Sequence, residues 1–165
     1  MSDARAHTRI LLIDGRSGSG KTTLADRIAP LLGATVVHLD DLYPGWGGLE
    51  AGSEASTRDV LEPLARGRDA IYRRWDWFAD RYGDEALIEP GGAVIVEGCG
   101  ALSRANRALA DVSIWIELDE TKRRQRALTR GGDDWWWGLW SDQERAFYAR
   151  ERSPELAHLV WCQAD

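Results

Sequence analysis

A mostly parallel α/β sheet with helices on both faces is the fold this sequence predicts, and three observations predict it. Short apolar runs recur at residues 10–13, 36–39, 93–96 and 112–116, each of a length suited to a buried strand. Segments with helical spacing separate them, and strands alternating with helices form parallel sheets covered on both sides. A glycine-rich turn joins the first strand to the first helix, at the sheet edge where ligands of such folds gather.

That turn reads Gly15-Arg16-Ser17-Gly18-Ser19-Gly20-Lys21-Thr22 and meets every specified position of the phosphate-loop pattern G-x-x-x-x-G-K-[ST]. Residues 10–13 precede it as a strand. Leu24, Ile28 and Leu31/Leu32 follow at i, i+4 and i+7/8, which predicts a helix with one core face. The glycines let the backbone curl until several N–H groups aim at one anion, and the helix N-terminus adds partial positive charge. Gly15, Ser17, Gly18, Ser19, Gly20, Lys21, Thr22 and Thr23 are therefore the expected nucleotide-binding residues. Lys21 is expected to reach the β- and γ-phosphates, and the Thr22 hydroxyl to ligate Mg²⁺. A glycine-rich turn that binds nothing has no use for Lys-Thr after its last glycine. The fold class is thus a P-loop NTPase three-layer sandwich, with ATP and Mg²⁺ as the expected ligands.

Pro30 is expected to end or kink the first helix near Ala29, with Gly33 as the stop. The second strand, 36–39, leads into Asp40-Asp41. Tyr43-Pro44-Gly45-Trp46-Gly47-Gly48 is a loop rich in breakers that carries two aromatics. Ser56 is expected to cap a helix reaching about Ala65, with Val60, Leu61 and Leu64 on its apolar side. Charged and aromatic residues alternate over 73–78, residues 86–88 read as a strand fragment, and Pro90-Gly91-Gly92 is a turn. Residues 93–96 form a buried strand ending in Glu97, and 112–116 form another. A basic helix follows over about 121–130, interrupted by Gly131-Gly132. Asp133 or Asp134 can cap the next helix, which places Trp136, Trp140 and Phe147 on one face. Residues 159–161 read as a last strand. With no internal repeat or linker, residues 1–165 are read as one domain, with a lid around 121–135.

The net charge of −6 and the lack of a long basic run argue against a nucleic-acid partner. No stretch approaches the ~18 apolar residues of a membrane span, and the polar start lacks a signal-peptide apolar region. Cys99 and Cys162 are too few for a disulfide framework and point to a reducing, cytoplasmic setting.

Four apolar residues before Glu97 make a Walker B pattern that puts this carboxylate near Mg²⁺. Asp40 and Asp41 stand where a carboxylate can take the proton from an attacking hydroxyl, the alternative being a cap or loop acid. Nearness to the strand selects Asp40, which is also a candidate Mg²⁺ contact. Arg123, Arg126 and Arg130 fall three and four apart, either as a lid face over the transferring phosphoryl group or as a solvated face paired with Glu117, Asp119 and Glu120. Trp46, Trp75 and Trp77 sit in loop-like sequence and are candidates to line an acceptor pocket, with Asp76 between two of them. Trp136 and Trp140 read as packing, and His38 reads as structural.

The stretch from Ile13 to Thr23, then Leu39-Asp40-Asp41-Leu42-Tyr43, then Val94-Ile95-Val96-Glu97-Gly98, then Lys122 to Asp133 line up in order with one family. Together they resemble the uridine kinase-like group of P-loop kinases, which includes uridine–cytidine, pantothenate and related small-molecule kinases. The resemblance implies an ATP:alcohol phosphotransferase with Lys21, Asp40, Arg126 and Arg130 as catalytic residues. It places the base on Asp40, the family's tyrosine on Tyr43 and its strand-end acid on Glu97. The family's lid ends in an Arg-Asp pair, whereas here two glycines part Arg130 from Asp133. Trp75-Asp76 resembles the family's Tyr-Asp at the nucleoside site, without the histidine that follows it there. The expected substrate set is therefore Tyr43, Trp46, Trp75 and Asp76, holding a small hydroxylated acceptor such as a nucleoside. The alternatives are a kinase of a sugar, vitamin precursor or antibiotic, and a nucleotide-binding regulator without turnover. A GTPase switch is disfavoured because the Asn-Lys-x-Asp signature is missing; the only asparagine is Asn106.

Overall fold

The computed structural model describes residues 7–131 and 134–163. Strand β1 (Arg9–Asp14) leads through the glycine loop into helix α1 (Lys21–Leu32) and strand β2 (Ala34–His38). Helices α2 (Leu49–Ala55) and α3 (Glu62–Ala65) precede β3 (Ala70–Asp76), β4 (Arg81–Ile88) and β5 (Ala93–Glu97). Then come α4 (Arg104–Arg107), β6 (Val112–Glu117), α5 (Glu120–Gly131), α6 (Trp135–Glu151), α7 (Ser153–Leu156) and β7 (Leu159–Cys162).

Five strands form one sheet in the order β2-β5-β1-β6-β7, and every neighbouring pair is parallel. The predicted α/β architecture is the one that forms. Because successive side chains on a strand point to opposite faces, the sheet feeds two cores. Ile10, Leu12, Val37, Val94 and Val96 pack on one side with Val60, Leu61 and Phe147; Ile13, Ile95 and Ile116 pack on the other with Ala25 and Ala29 of α1. The register sets Glu97 level with Ile13 and His38, so β1, β2 and β5 end together at one edge of the sheet.

Several local expectations are corrected. Helix α1 runs through Pro30 to Leu32 and ends on Gly33 in the left-handed region. Proline's fixed φ is helical, and so near the end it removes one hydrogen bond without stopping the chain. Leu31, at 82% exposure, and Leu32 face solvent, because small Ala25 and Ala29 make the close contact with the sheet. Ser56 caps nothing. The helical course starts at Leu49 and passes through a π-helical stretch at Ser56–Leu61, where the buried Ser56 hydroxyl donates to the Ser53 carbonyl at 2.7 Å. The alternating stretch at 73–78 belongs mostly to a strand. β3 and β4 pair antiparallel as a separate hairpin, and the predicted fragment at 86–88 is the end of β4. On α6, Trp140 and Phe147 face the core as expected; Trp137 is buried as well, while Trp136 is only half-buried. Among the described residues no helix is long and apolar enough to cross a membrane.

Candidate active site

The glycine loop closes against α5 with no space to spare. A Cβ on Gly18, whose φ is +82°, would lie 2.1 Å from the Arg123 carbonyl oxygen. Arg123 is itself buried, and its guanidinium donates to the carbonyls of Leu118 (3.0 Å) and Ser17 (3.2 Å). It is a strut under the loop rather than one of a row of exposed lid arginines. Two buried carboxylates hold the loop from behind. Asp14 accepts from the N–H groups of Gly15 (2.6 Å), Gly100 (3.2 Å) and Leu102 (2.8 Å) and from the Tyr148 hydroxyl (2.7 Å). Burial outweighs these bonds and pushes its pKa up to about 6. Glu144 of α6 accepts from the Ser17 N–H at 2.6 Å and from Arg16 Nε at 3.1 Å. Lys21 Nζ donates to the Arg16 carbonyl at 3.2 Å. Burial opposes the charge on Lys21, but the neighbouring Cys99 sulfur and then the carboxylates of Glu97, Glu144 and Asp14 outweigh it and raise its pKa.

In front of the loop lies a cavity of about 430 Å³. Ser17, Gly18, Gly20, Lys21 and Thr22 form its floor, and Asp40 and Glu97 its acidic side. The Thr22 hydroxyl donates to Glu97 Oε1 at 3.1 Å, and His38 Nδ1 meets the same oxygen at 2.6 Å. That bond to Glu97 raises the pKa of His38. Asp40 stands on a short 3₁₀ turn, Leu39–Asp41, just past β2. It keeps an accessible face, yet the protein packed around it and the charge of Glu97 raise its pKa. Asp41 points elsewhere, to Arg74 on the hairpin at 3.7 Å.

The opposite wall is indole. Trp46 is the hub, with ring centroids 5.0 Å from Trp77, 5.1 Å from Trp136, 5.5 Å from Trp135 and 6.3 Å from Trp140. The Trp77 indole N–H donates to the Asp40 carbonyl at 2.8 Å, which ties the hairpin to the turn bearing Asp40.

The model of the AAA domain family matches residues 11–135, from the first strand to the start of α6. The chain belongs to this family. No curated protein matches it. Among solved structures, this AAA domain is similar to a possible uridine kinase from Bacillus stearothermophilus, at 20% identity over 94% of this chain and 89% of that one, with a TM-score of 0.69. It is similar to a candidate fructose transport system kinase from Silicibacter sp., at 25% identity over 98% and 93%, TM-score 0.69. It is also similar to a shikimate kinase from Acinetobacter baumannii, at 19% identity over 100% and 89%, TM-score 0.57. The fold is that of P-loop kinases.

Of the residues singled out in the sequence, Ser17, Gly18, Gly20, Lys21, Thr22, Asp40, Tyr43, Trp46 and Glu97 meet at the cavity of this AAA domain. Tyr43 is buried at its base, with its hydroxyl donated to the Cys99 carbonyl at 2.7 Å. Gly15 lies behind the floor, where a Cβ would come within 2.6 Å of the Ile116 carbonyl oxygen. Ser19 is buried with its hydroxyl unpaired, and Thr23 is exposed on α1. Trp75 and Asp76 do not line the cavity. Trp75 packs edge-on to Tyr82, and Asp76 accepts from the N–H groups of Phe78 and Ala79, both at 2.9 Å, as a turn residue. Arg126 is exposed above the loop, 4.0 Å from where a Gly20 Cβ would stand, and donates to Gln163 at 3.0 Å. Arg130 lies on α5; its side chain, Gly132 and Asp133 lie outside the described residues. Sequence reasoning missed Glu144, and it read Trp135, Trp136 and Trp140 as packing or passed them over. The available signal was a carboxylate four residues after Trp140 on the same helical face, since an acid on a buried stripe needs a partner.

Proposed function

We propose that this AAA domain is an ATP- and Mg²⁺-dependent phosphotransferase that moves a γ-phosphoryl group to the hydroxyl of a small molecule. The observation that carries the reading is the division of labour between adjacent acids: Asp40 faces the cavity beside Lys21, while Asp41 is turned to Arg74. Phosphoryl transfer rests on positioning and charge neutralisation. The loop N–H groups and Lys21 hold the triphosphate, and Asp40 accepts the proton of the attacking hydroxyl. A raised pKa makes Asp40 a stronger base than an ordinary aspartate. Arg126 beside Gly20 is placed to meet charge on the transferring group, and Arg130 on the same helix is its lid partner in this reading.

The donor set fits Mg²⁺. Thr22 and Glu97 offer hard oxygens within 3.1 Å of each other at the cavity, with Asp40 beside them. Mg²⁺ is commonly bound through one or two protein oxygens plus phosphate and water, and Thr22 and Glu97 would supply such oxygens. When bound, the ion neutralises charge developing between the β- and γ-phosphates.

The test is acceptor-dependent ADP release with a panel of nucleosides, sugars and other metabolites. Asp40→Asn is expected to cut turnover on the order of 10²-fold or more, the range for general base catalysis, with nucleotide affinity largely kept. Asp41→Asn is expected to be far milder. Unchanged turnover in Asp40→Asn removes the assignment.

A further inference from the structure

The wall facing the phosphate loop narrows the identity of the acceptor. Trp46, Trp77, Trp135, Trp136 and Trp140 line the cavity from three separate parts of the chain: the loop before α2, the tip of the hairpin and the first turns of α6. Their angles to Trp46, from 24° to 87°, present both ring faces and ring edges. What this wall lacks is as informative. Among the described residues Lys21 is the one cationic side chain lining the cavity, and a bound triphosphate claims it. Asp40 and Glu97 put two carboxylates on the acidic side of the cavity, where they repel an acidic acceptor. The Trp77 N–H is bound to the Asp40 carbonyl and the Tyr43 hydroxyl to the Cys99 carbonyl. The five rings offer far more apolar area than hydrogen-bonding groups, which favours the flat apolar face of a ring over a polyhydroxylated body.

We infer that the acceptor, in the phosphotransfer reading on which this rests, is an alcohol built on an apolar aromatic ring and free of acidic groups. Its hydroxyl meets Asp40 and its ring lies against the tryptophans. About 430 Å³ is at the small end for ligand pockets. Shared with the end of a triphosphate, it suits a body of one or two rings.

The test uses the full chain with ATP and Mg²⁺ and five acceptors at equal concentration: phenylethanol, tryptophol, uridine, fructose and shikimate. Turnover with the better aromatic alcohol is expected to exceed that with each polar acceptor by roughly tenfold, the order set by aromatic contacts. Turnover with uridine, fructose or shikimate that equals or exceeds it overturns the inference while leaving phosphotransfer standing. Calorimetric titration of tryptophol into the chain with a non-hydrolysable ATP analogue separates the two readings. Binding without transfer supports the pocket assignment and removes the phosphotransfer reading. No binding of either aromatic alcohol overturns the assignment. Trp46→Ala should weaken tryptophol binding about tenfold with nucleotide affinity unchanged. Trp135→Ala should weaken it too and keep the fold, since Trp135 is 63% exposed; full affinity in both variants also overturns the assignment.

Discussion

On the phosphate side of the cavity, the lining groups of the glycine loop fall in one short stretch, residues 17–22. On the acceptor side the lining groups are five indole rings from positions as far apart as Trp46 and Trp140. The first side is rigid because buried polar groups brace it: Asp14, Glu144 and Arg123 each fix a loop N–H or carbonyl. The second is held by ring-on-ring contacts, one exposed indole hydrogen bond and the Gln143 amide donating to the Trp46 carbonyl at 2.7 Å. Backbone recognition needs a fixed geometry and cannot be retuned residue by residue. Side-chain recognition can be altered one ring at a time. In the proposed phosphotransfer reading, the chain keeps its chemistry in one place and its selectivity in another.

If that contrast holds, changes behind the floor cost stability and changes in the wall cost little. The largest effect is expected from Asp14. Its folded pKa of about 6 exceeds the ordinary 3.8, so protonation favours the folded state. That contribution is full below about pH 4 and is lost as pH rises through about 6. The stability difference between wild type and Asp14→Asn, measured by chemical denaturation, should shrink over this window by on the order of 3 kcal/mol. A difference independent of pH breaks the contrast at its base. Next comes Lys21. ATP·Mg²⁺ at ~100 times its dissociation constant should stabilise the wild type by about 2.7 kcal/mol, roughly 5–11 °C in melting temperature, and Lys21→Ala should lose most of that shift. Glu144→Ala leaves the Ser17 N–H unpaired and Arg16 without its carboxylate. A loss of about 1–3 kcal/mol is expected in thermal or denaturant unfolding, with Glu144→Gln losing less. The smallest effect is expected in the wall. Trp77 is 39% exposed, and Trp77→Phe removes one hydrogen bond, about 1 kcal/mol. If that variant unfolds as readily as Glu144→Ala, the two sides are not built differently after all.

The same contrast governs what the sequence reveals. The phosphate loop is legible because its function is local: Gly18 and Gly20 hold positive φ, and Lys21-Thr22 follow at fixed spacing. Strands 10–13 and 93–96 are legible because a doubly covered parallel strand is apolar throughout, and 36–39 and 112–116 because each run carries a single polar residue, His38 or Ser113. The hairpin β3–β4 is not, because its outer face carries Arg73 and Glu85 opposite each other and reads as charged loop. Nor is the course from Leu49 to Ala65, where Ser56 bonds backward to Ser53 in place of capping. Trp135 and Trp136 were illegible as cavity residues because helical periodicity says which face is shared, not what stands across from it. The preference for Asp40 over Asp41 rests on distance to the strand; that Asp40 lines the cavity and Asp41 has Arg74 to bind are tertiary facts.

Helix α6 has a consequence of its own. Its 17 residues make a rod about 25 Å long. The first turn carries Trp135 and Trp136, the middle carries Glu144 against Ser17, and beyond it Tyr148 reaches Asp14. One beam is thus pinned at three stations, and its angular phase is common to all of them. Substitutions on its first turn alter the wall without changing this phase, so long as the count of residues down to Glu144 is kept. A single residue inserted between Trp140 and Ser141 would turn one end against the other by about 100°, and the loop and the wall could no longer both be seated on the same shaft.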